Sequence, residues 1–199
     1  MFIIKRFFDL ILSTAAIIIL LPVLLLIALL VFITDSHGSV IFRQIRIARG
    51  GDEFILYKFR TMYNGAAKNG LLTVGMRDSR ITPIGYYLRK YKLDELPQLF
   101  NVLIGDMSIV GPRPEVPRYV AKYNQEQLKV LRIKPGLTDY ASIEYSNENE
   151  ILAKSPNPEE TYVNEIMPAK LKLSLEYMDK IGPITDTIII FKTIWKIFR

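Results

Sequence analysis

Leu10-Ile11-Leu12-Ser13-Thr14-Ala15-Ala16-Ile17-Ile18-Ile19-Leu20-Leu21-Pro22-Val23-Leu24-Leu25-Leu26-Ile27-Ala28-Leu29-Leu30-Val31-Phe32-Ile33 is apolar except at Ser13, Thr14 and Pro22. How this stretch is read decides the fold. It is long enough to cross a bilayer core as a helix. A cleaved secretory leader fits less well: the run is long, no small-x-small cleavage site follows, and basic sequence continues directly. Charge complicates a simple crossing. Lys5 and Arg6 precede the run, and Arg43, Arg46 and Arg49 follow it. Basic residues favour the cytoplasmic side, so both ends have a claim on it. Pro22 lies near the middle, where it removes a helical hydrogen bond and favours a kink. Two readings stand on these residues. One is a re-entrant helix that bends at Leu21-Pro22 and returns to the face it entered. The other is an ordinary span with a tolerated proline.

The rest of the chain is not membrane-like. Half of its 199 residues are hydrophobic, yet 23% are charged, which excludes a many-span transporter and a disordered chain. The formal net charge of +6 suits an anionic partner: nucleic acid, anionic lipid or a phosphorylated substrate. There is no cysteine and one histidine, His37, so disulfides, thiolate metal sites and a His-rich zinc site are excluded. Chemistry falls to carboxylates, hydroxyls, lysines and arginines.

Outward from the apolar run, Val40–Phe42 and Phe54–Tyr57 read as short strands around an Arg49-Gly50-Gly51-Asp52 turn. In Lys58-Phe59-Arg60-Thr61-Met62, Lys58 and Arg60 share one side of an extended chain, as phosphate ligands or as a solvated edge. Residues 64–80 are polar and read as a loop. Thr82 and Pro83 cap and open a helix that carries Arg89 toward Asp94.

Leu93-Asp94-Glu95-Leu96-Pro97-Gln98 places two adjacent carboxylates ahead of a proline. Arg89-Lys90-Tyr91-Lys92 precedes them. Gly105-Asp106-Met107-Ser108 and Gly111-Pro112-Arg113-Pro114 follow. Acids able to hold a metal or attack an electrophile are thus bracketed by cations able to hold a phosphate. A helix opening near Asp94 or Glu95, with Pro97 in its first turn, gives the same acids a second reading as a cap without chemistry. Pro112 and Pro114 fix where Arg113 points and reduce the entropy it loses on binding an anion.

Farther on, residues 117–132 read as an amphipathic helix and Lys134-Pro135-Gly136-Leu137-Thr138 as a turn. Residues 144–161 read as a loop or short helix, and 162–181 as a helix ending at Gly182-Pro183. In the tail, Ile184, Ile188, Phe191, Trp195 and Phe198 share one helical face, with Lys192, Lys196 and Arg199 interleaved. Such a helix suits an anionic membrane surface or packing on a domain. The expected division is a membrane helix over 1–36, a cytosolic domain over 37–182 and an amphipathic membrane-surface helix over 183–199.

Taken together, these pieces resemble the small monotopic phosphoglycosyltransferases, bacterial sugar transferases. The resemblance rests on Lys5-Arg6 with the proline-broken helix, Lys58 to Met62, Arg89, Leu93 to Val102, Gly105 to Ser108, Gly111 to Pro114 and Lys134 to Thr138. It covers about residues 1–140. The fold it implies is α/β with helices dominant: a re-entrant membrane helix broken at Pro22, short strands and interfacial amphipathic helices. It implies that the 1–36 helix is the re-entrant one and that the 37–182 domain is catalytic.

The activity it implies is transfer of a sugar-1-phosphate from a UDP-sugar to polyprenyl (undecaprenyl) phosphate. UMP is released at the cytoplasmic face of the bacterial inner membrane, initiating a surface glycan. It further implies Mg2+ and attack by Asp94 to give a covalent phosphosugar. Asp94 and Glu95 become first candidates for the metal, with Glu95 alternatively a base toward the incoming lipid phosphate. Arg89 would hold the acceptor phosphate. Arg113, with Pro112 and Pro114, would hold the diphosphate as a planar fork, and Lys58 and Arg60 would line the same pocket. Two positions depart from the family pattern. Leu21 stands before the proline where a small residue is frequent, and Asp139-Tyr140-Ala141-Ser142 stands where a glycine is common. A different class, a non-catalytic membrane-docked anion-binding protein, needs only the cap reading of Asp94 and Glu95. A nucleic-acid binder leaves the apolar run without a role.

Overall fold

The structure, a computed structural model, describes residues 2–36, 38–66, 75 and 78–198. Helix α1 (Phe2–Thr34) is continuous over 33 residues and runs through Pro22, so the break expected there does not interrupt the helix; a proline removes one hydrogen bond, and those of the flanking turns carry the helix on. At 1.5 Å per residue it is about 50 Å long. Its buried positions, Asp9, Ser13, Leu24, Ile27 and Val31, recur at helical spacing and form one stripe. Ile18, Ile19, Leu25, Leu26 and Ile33 point away from the protein, each more than half exposed. An apolar face of this extent marks an interaction surface. Among the described residues, α1 is the one helix long and apolar enough to cross a membrane.

Both ends of α1 meet the same body. Near its start, Arg6 Nη1 donates to the Val102 carbonyl at 2.6 Å. The Asp9 carboxylate accepts from the Ser108 hydroxyl at 2.8 Å and the Ile109 amide at 2.9 Å. Toward its end, Leu24, Ile27 and Val31 pack with Phe59 and Leu88, and Asp35 pairs with Arg60 at 3.5 Å.

The two expected strands exist and are longer than anticipated. β1 (Ile41–Ile47) and β2 (Glu53–Phe59) form an antiparallel hairpin with Ile41 opposite Phe59 and Ile47 opposite Glu53. A 3-10 turn, Arg49–Gly51, joins them with Gly50 at φ 84° and Gly51 at φ 93°, a backbone that side chains with a Cβ rarely adopt. Of the expected 64–80 loop, residues 67–74, 76 and 77 lie outside the described residues. Thr82 caps α2 (Pro83–Lys90) as expected, its hydroxyl accepting from the Gly85 amide at 3.0 Å. α3 (Gln98–Ile104) begins after Pro97. The buried Asn101 fastens it to β2. Asn101 Nδ2 donates to the Ile55 carbonyl at 2.7 Å, and its Oδ1 accepts from the Tyr57 amide at 3.0 Å.

A second, parallel pair was not anticipated: β3 (Ser108–Val110) lies beside β4 (Gly136–Thr138). The glycine-proline motifs just past and at these strands meet there. Gly111 N donates to the Thr138 carbonyl at 3.0 Å and Gly136 N to the Pro112 carbonyl at 2.8 Å. A Cβ on Gly136 would lie 2.1 Å from the Gly111 nitrogen, so this approach requires glycine.

The helix expected over 117–132 is broken. α4 (Pro117–Val120) stops early and a 3-10 helix covers Gln127–Arg132. Between them Asn124 and Gln127 trade side-chain and backbone hydrogen bonds at 2.9 Å, a local pattern that competes with helix. α5 (Tyr140–Glu144), α6 (Glu148–Ala153) and α7 (Pro158–Thr161) follow. A π turn, Tyr162–Ile166, leads into α8 (Met167–Asp179). Val116, Tyr119, Val130, Leu152, Tyr162, Ile166, Met167 and Leu171 form the largest core here. α9 (Pro183–Phe198) buries Ile189 and exposes Ile184, Ile188, Phe191 and Trp195, the face expected to be apolar. The fold is α/β with helices dominant and strands short.

Candidate active site

After α2, Lys92 takes a left-handed backbone with φ 56°. The chain reverses there and enters the 3-10 turn Leu93–Glu95, which carries both acids inward. Neither this turn nor α3 has a side-chain cap hydrogen bond. Asp94 and Glu95 are therefore not serving as helix caps.

Glu95 is held by two cations. Arg113 Nη1 donates to Glu95 Oε2 at 3.0 Å, Arg113 Nη2 closes on Oε1, and Lys58 Nζ reaches the same Oε1 at 3.1 Å. A planar guanidinium across a carboxylate is the strongest side-chain ion-pair geometry. Burial alone would push the Glu95 carboxyl up, but Arg113 and Lys58 outweigh it and hold it well below the usual carboxylate range. In return, Glu95 pushes the Arg113 guanidinium up against its own burial. Lys58 moves the other way: burial pulls its ammonium down, and Glu95 offsets only part of this.

Asp94 is 7% exposed. Its Oδ1 is buried without a hydrogen-bond partner among the described residues. Burial pushes the Asp94 carboxyl up, and the neighbouring Glu95 adds to the shift against Lys58, Arg89 and Lys92. Two adjacent carboxylates are thus driven apart: Glu95 is fixed as the anion, and Asp94 is left with an unsatisfied oxygen. An unpaired buried polar atom is costly, and such groups concentrate where chemistry occurs.

Arg89 stands beside this pair. Its Nε donates to Thr61 Oγ1 at 2.8 Å, burial pulls its guanidinium down, and Asp94 is the carboxylate acting most strongly on it. Pro112 and Pro114 anchor the loop that carries Arg113. The Pro112 carbonyl accepts from Gly136, and the Pro114 carbonyl accepts from Arg46 Nη1 at 2.9 Å. Lys58, Asp94, Glu95, Arg89 and Arg113 thus belong to one neighbourhood, with Pro112 and Pro114 as its support.

Arg60 does not join them. β2 ends at Phe59, so the alternation that would align residues 58 and 60 stops. Arg60 turns toward the end of α1 and pairs with Asp35. Pro22 lies on α1, outside this neighbourhood. A support that the sequence reading missed lies beneath Arg113: Arg46 pairs with Glu115 at 3.1 Å, and Glu115 accepts from the Tyr162 hydroxyl. Arg46 reads in sequence as one more membrane-flanking charge. Its position opposite Phe54 in an alternating strand was the available signal.

The donor set bears on Mg2+. Among the described residues, no group of three or more acidic or histidine side chains could form a cage by itself. Mg2+ commonly binds through one or two carboxylates together with substrate phosphates. Asp94 Oδ1 fits that role; both oxygens of Glu95 are engaged by cations. A buried carboxylate beside lysine and arginines can receive an anionic phosphoryl group and attack it.

The bacterial sugar transferase family profile matches residues 1–199. The chain is similar to the UDP-glucose:undecaprenyl-phosphate glucose-1-phosphate transferase of Klebsiella pneumoniae, 36% identical over 198 residues, covering 98% of this chain and 40% of that protein. It is similar to the UDP-N-acetylgalactosamine-undecaprenyl-phosphate N-acetylgalactosaminephosphotransferase of Aeromonas hydrophila, 32% identical over 194 residues, covering 96% of this chain and 43% of that protein. It is also similar to the exopolysaccharide production protein ExoY of Rhizobium meliloti, 33% identical over 205 residues, covering 96% of this chain and 83% of that protein. The chain spans less than half the length of the first two. A profile matched along the chain and a relative largely covered at this identity agree with the carboxylate and arginine geometry: the chain belongs to the bacterial sugar transferase family.

Proposed function

We propose that this chain transfers a sugar-1-phosphate from a UDP-sugar to polyprenyl phosphate, releasing UMP. The observation that carries the reading is the unpartnered, buried Asp94 Oδ1 beside the Arg113–Glu95–Lys58 cluster. The donor's diphosphate enters between Asp94 and these cations. Arg113 and Lys58 turn from Glu95 to the phosphate oxygens. Asp94 attacks the sugar-bearing phosphorus, a new Asp94–phosphorus bond forms, and the bond to the UMP oxygen breaks, so UMP leaves as the anion. Arg89 orients the acceptor. The lipid phosphate then attacks the same phosphorus and displaces Asp94, giving the polyprenyl diphosphosugar. The residues that would hold Mg2+ are Asp94 and, once its cations have turned to the substrate, Glu95. When bound, Mg2+ neutralises charge on the diphosphate.

The membrane placement belongs to the same proposal. α1, helical through Pro22, would have to bend there without losing its helical run so as to enter and leave from the cytoplasmic face of the inner membrane, with α9 at the headgroups. Supporting this, charged residues near both ends of α1 bond to one body: Arg6 and Asp9 at one end, and Asp35 just beyond the other. A straight crossing would set these partners on opposite sides of the bilayer. The product would initiate a bacterial surface glycan or exopolysaccharide.

The test is UMP release from a panel of UDP-sugars with undecaprenyl phosphate and Mg2+, comparing wild type with Asp94→Asn. Release by wild type alone supports the proposal. Equal release by the variant removes Asp94 as nucleophile. Silence from both folded proteins favours a membrane-docked anion-binding protein.

A further inference from the structure

At the far end of α3 from Asp94, a separate cleft of about 60 Å³ is lined by Lys5, Arg6, Asp9, Arg49, Lys134 and Ile181, among others. It shares no residue with the Arg113–Glu95–Lys58 cluster. α3 separates the two: Arg6 bonds the Val102 and Leu103 carbonyls in its last turn, about 6–8 Å along the helix from its start.

Three cations of this cleft, Arg6, Arg49 and Lys134, form no ion pair with an acid among the described residues. Asp9 is turned to the Ser108 hydroxyl and the Ile109 amide. Lys5 is paired with Asp186, and Arg6 with neutral carbonyls. Arg49 and Lys134 have no side-chain hydrogen bond or ion pair among the described residues. Arg6 and Lys134 both close on Gly105: a Cβ there would lie 3.3 Å from Arg6 Nη2 and 3.6 Å from Lys134 Nζ, which brings the two cations to one point. Burial first, then the nearby Arg6 and Arg49, pull the Lys134 ammonium down, and Asp9 and Asp106 offset only part of this.

The surroundings identify the source of an anion. Ile3 and Phe7 at the start of α1 are 87% and 60% exposed, and Ile184 at the start of α9 is 78% exposed. The Lys5–Asp186 pair ties these two apolar starts together beside the cleft. Cations beneath an apolar rim match the layering of a membrane, where phosphates lie just above the acyl chains.

We infer that the cleft of Arg6, Arg49 and Lys134 binds the phosphate of an anionic phospholipid headgroup, apart from the site around Asp94. The phosphate monoanion offsets one of the three positive charges and hydrogen-bonds the cations together, fixing the height at which α1 and α9 sit in the leaflet. The inference concerns lipid binding and is independent of sugar transfer.

The experiment titrates the full chain in a neutral detergent with dioctanoyl phosphatidylglycerol, with dioctanoylglycerol and with inorganic phosphate, reading the midpoint of thermal unfolding. The expected result is a saturable rise with phosphatidylglycerol that weakens at high salt. Dioctanoylglycerol leaves the midpoint unmoved, and inorganic phosphate acts only at far higher concentration. In Arg49→Gln with Lys134→Gln, the half-effective lipid concentration rises about thirtyfold. Both residues lack protein partners, so the fold survives, and Arg49→Lys with Lys134→Arg retains binding. An undiminished response in the double Gln variant overturns the inference. So does an equal response to inorganic phosphate, which makes the site one for a free anion, or to dioctanoylglycerol, which makes it purely apolar.

Discussion

Arg113 spans both oxygens of Glu95, with Nη1 3.0 Å from Oε2 and Nη2 closed on Oε1. The acid nearest the proposed nucleophile is thereby occupied by the cation that would otherwise hold a substrate phosphate. Glu95 holds Arg113 and Lys58 in place; in the proposed reaction the more highly charged diphosphate would draw both cations from it.

Removing the guanidinium leaves Glu95 with Lys58 alone. Losing one partner of a buried pair costs about 3–5 kcal/mol; Arg113 is 29% exposed, which favours the lower end. Arg113→Ala is expected to lose stability in urea unfolding and to lose donor turnover. Arg113→Lys keeps the charge but not the fork, and is expected to recover stability better than turnover.

Asp94→Asn separates chemistry from folding. It removes a carboxylate that burial disfavours, so the variant is expected to melt at or above the wild-type temperature. UMP release falls at least about a thousandfold in the same preparation. A variant that both melts lower and retains turnover would contradict the assignment.

The two acids give opposite pH signatures. Asp94 has a folded value above its unfolded 3.8, so its contribution is present below that value and is lost as pH rises through the folded one. Glu95 has a folded value well below its unfolded 4.5. Its contribution is present above 4.5 and is lost as pH falls through the folded value. Melting temperatures across pH should therefore show Asp94→Asn gaining on wild type as pH rises. Glu95→Gln should be worst at neutral pH and approach wild type in acid. The acid limb of turnover should lie above 3.8, because Asp94 must be ionised to attack.

Gly136→Ala places a Cβ 2.1 Å from the Gly111 nitrogen. Backbone cannot yield as a side-chain tip can, so β3 and β4 must part. The expected cost exceeds the about 1–3 kcal/mol typical of overpacking, measured by thermal unfolding. Arg113 goes out of place with them.

Much of this site was legible because its residues lie in short, chemically unusual strings. Adjacent acids before a proline and an arginine between two prolines stand out as strings, and Lys58, Asp94, Glu95 and Arg113 do converge. What sequence hid depends on where elements end and on pairings across long separations. Arg60 left the cluster because β2 stops one residue earlier. The β3–β4 pair is too short to carry a periodicity. Arg46 and Glu115 are 69 residues apart, and nothing local links them. The 117–132 helix failed because Asn124 and Gln127 bond each other's backbone, a local choice that an apolar pattern does not report.

The bond between Asp9 and Ser108 spans 99 residues. α1 leaves the ribosome before the segment it docks on, and its buried carboxylate lacks these partners until Ser108 and Ile109 emerge. At about 5–20 residues per second, that interval is about 5–20 s. Over it, Asp9 must stay hydrated, so the start of α1 cannot seat itself in apolar surroundings during its own synthesis. The start of α1 is thus made well before the residues that fix its final position, and the middle of the chain times its seating.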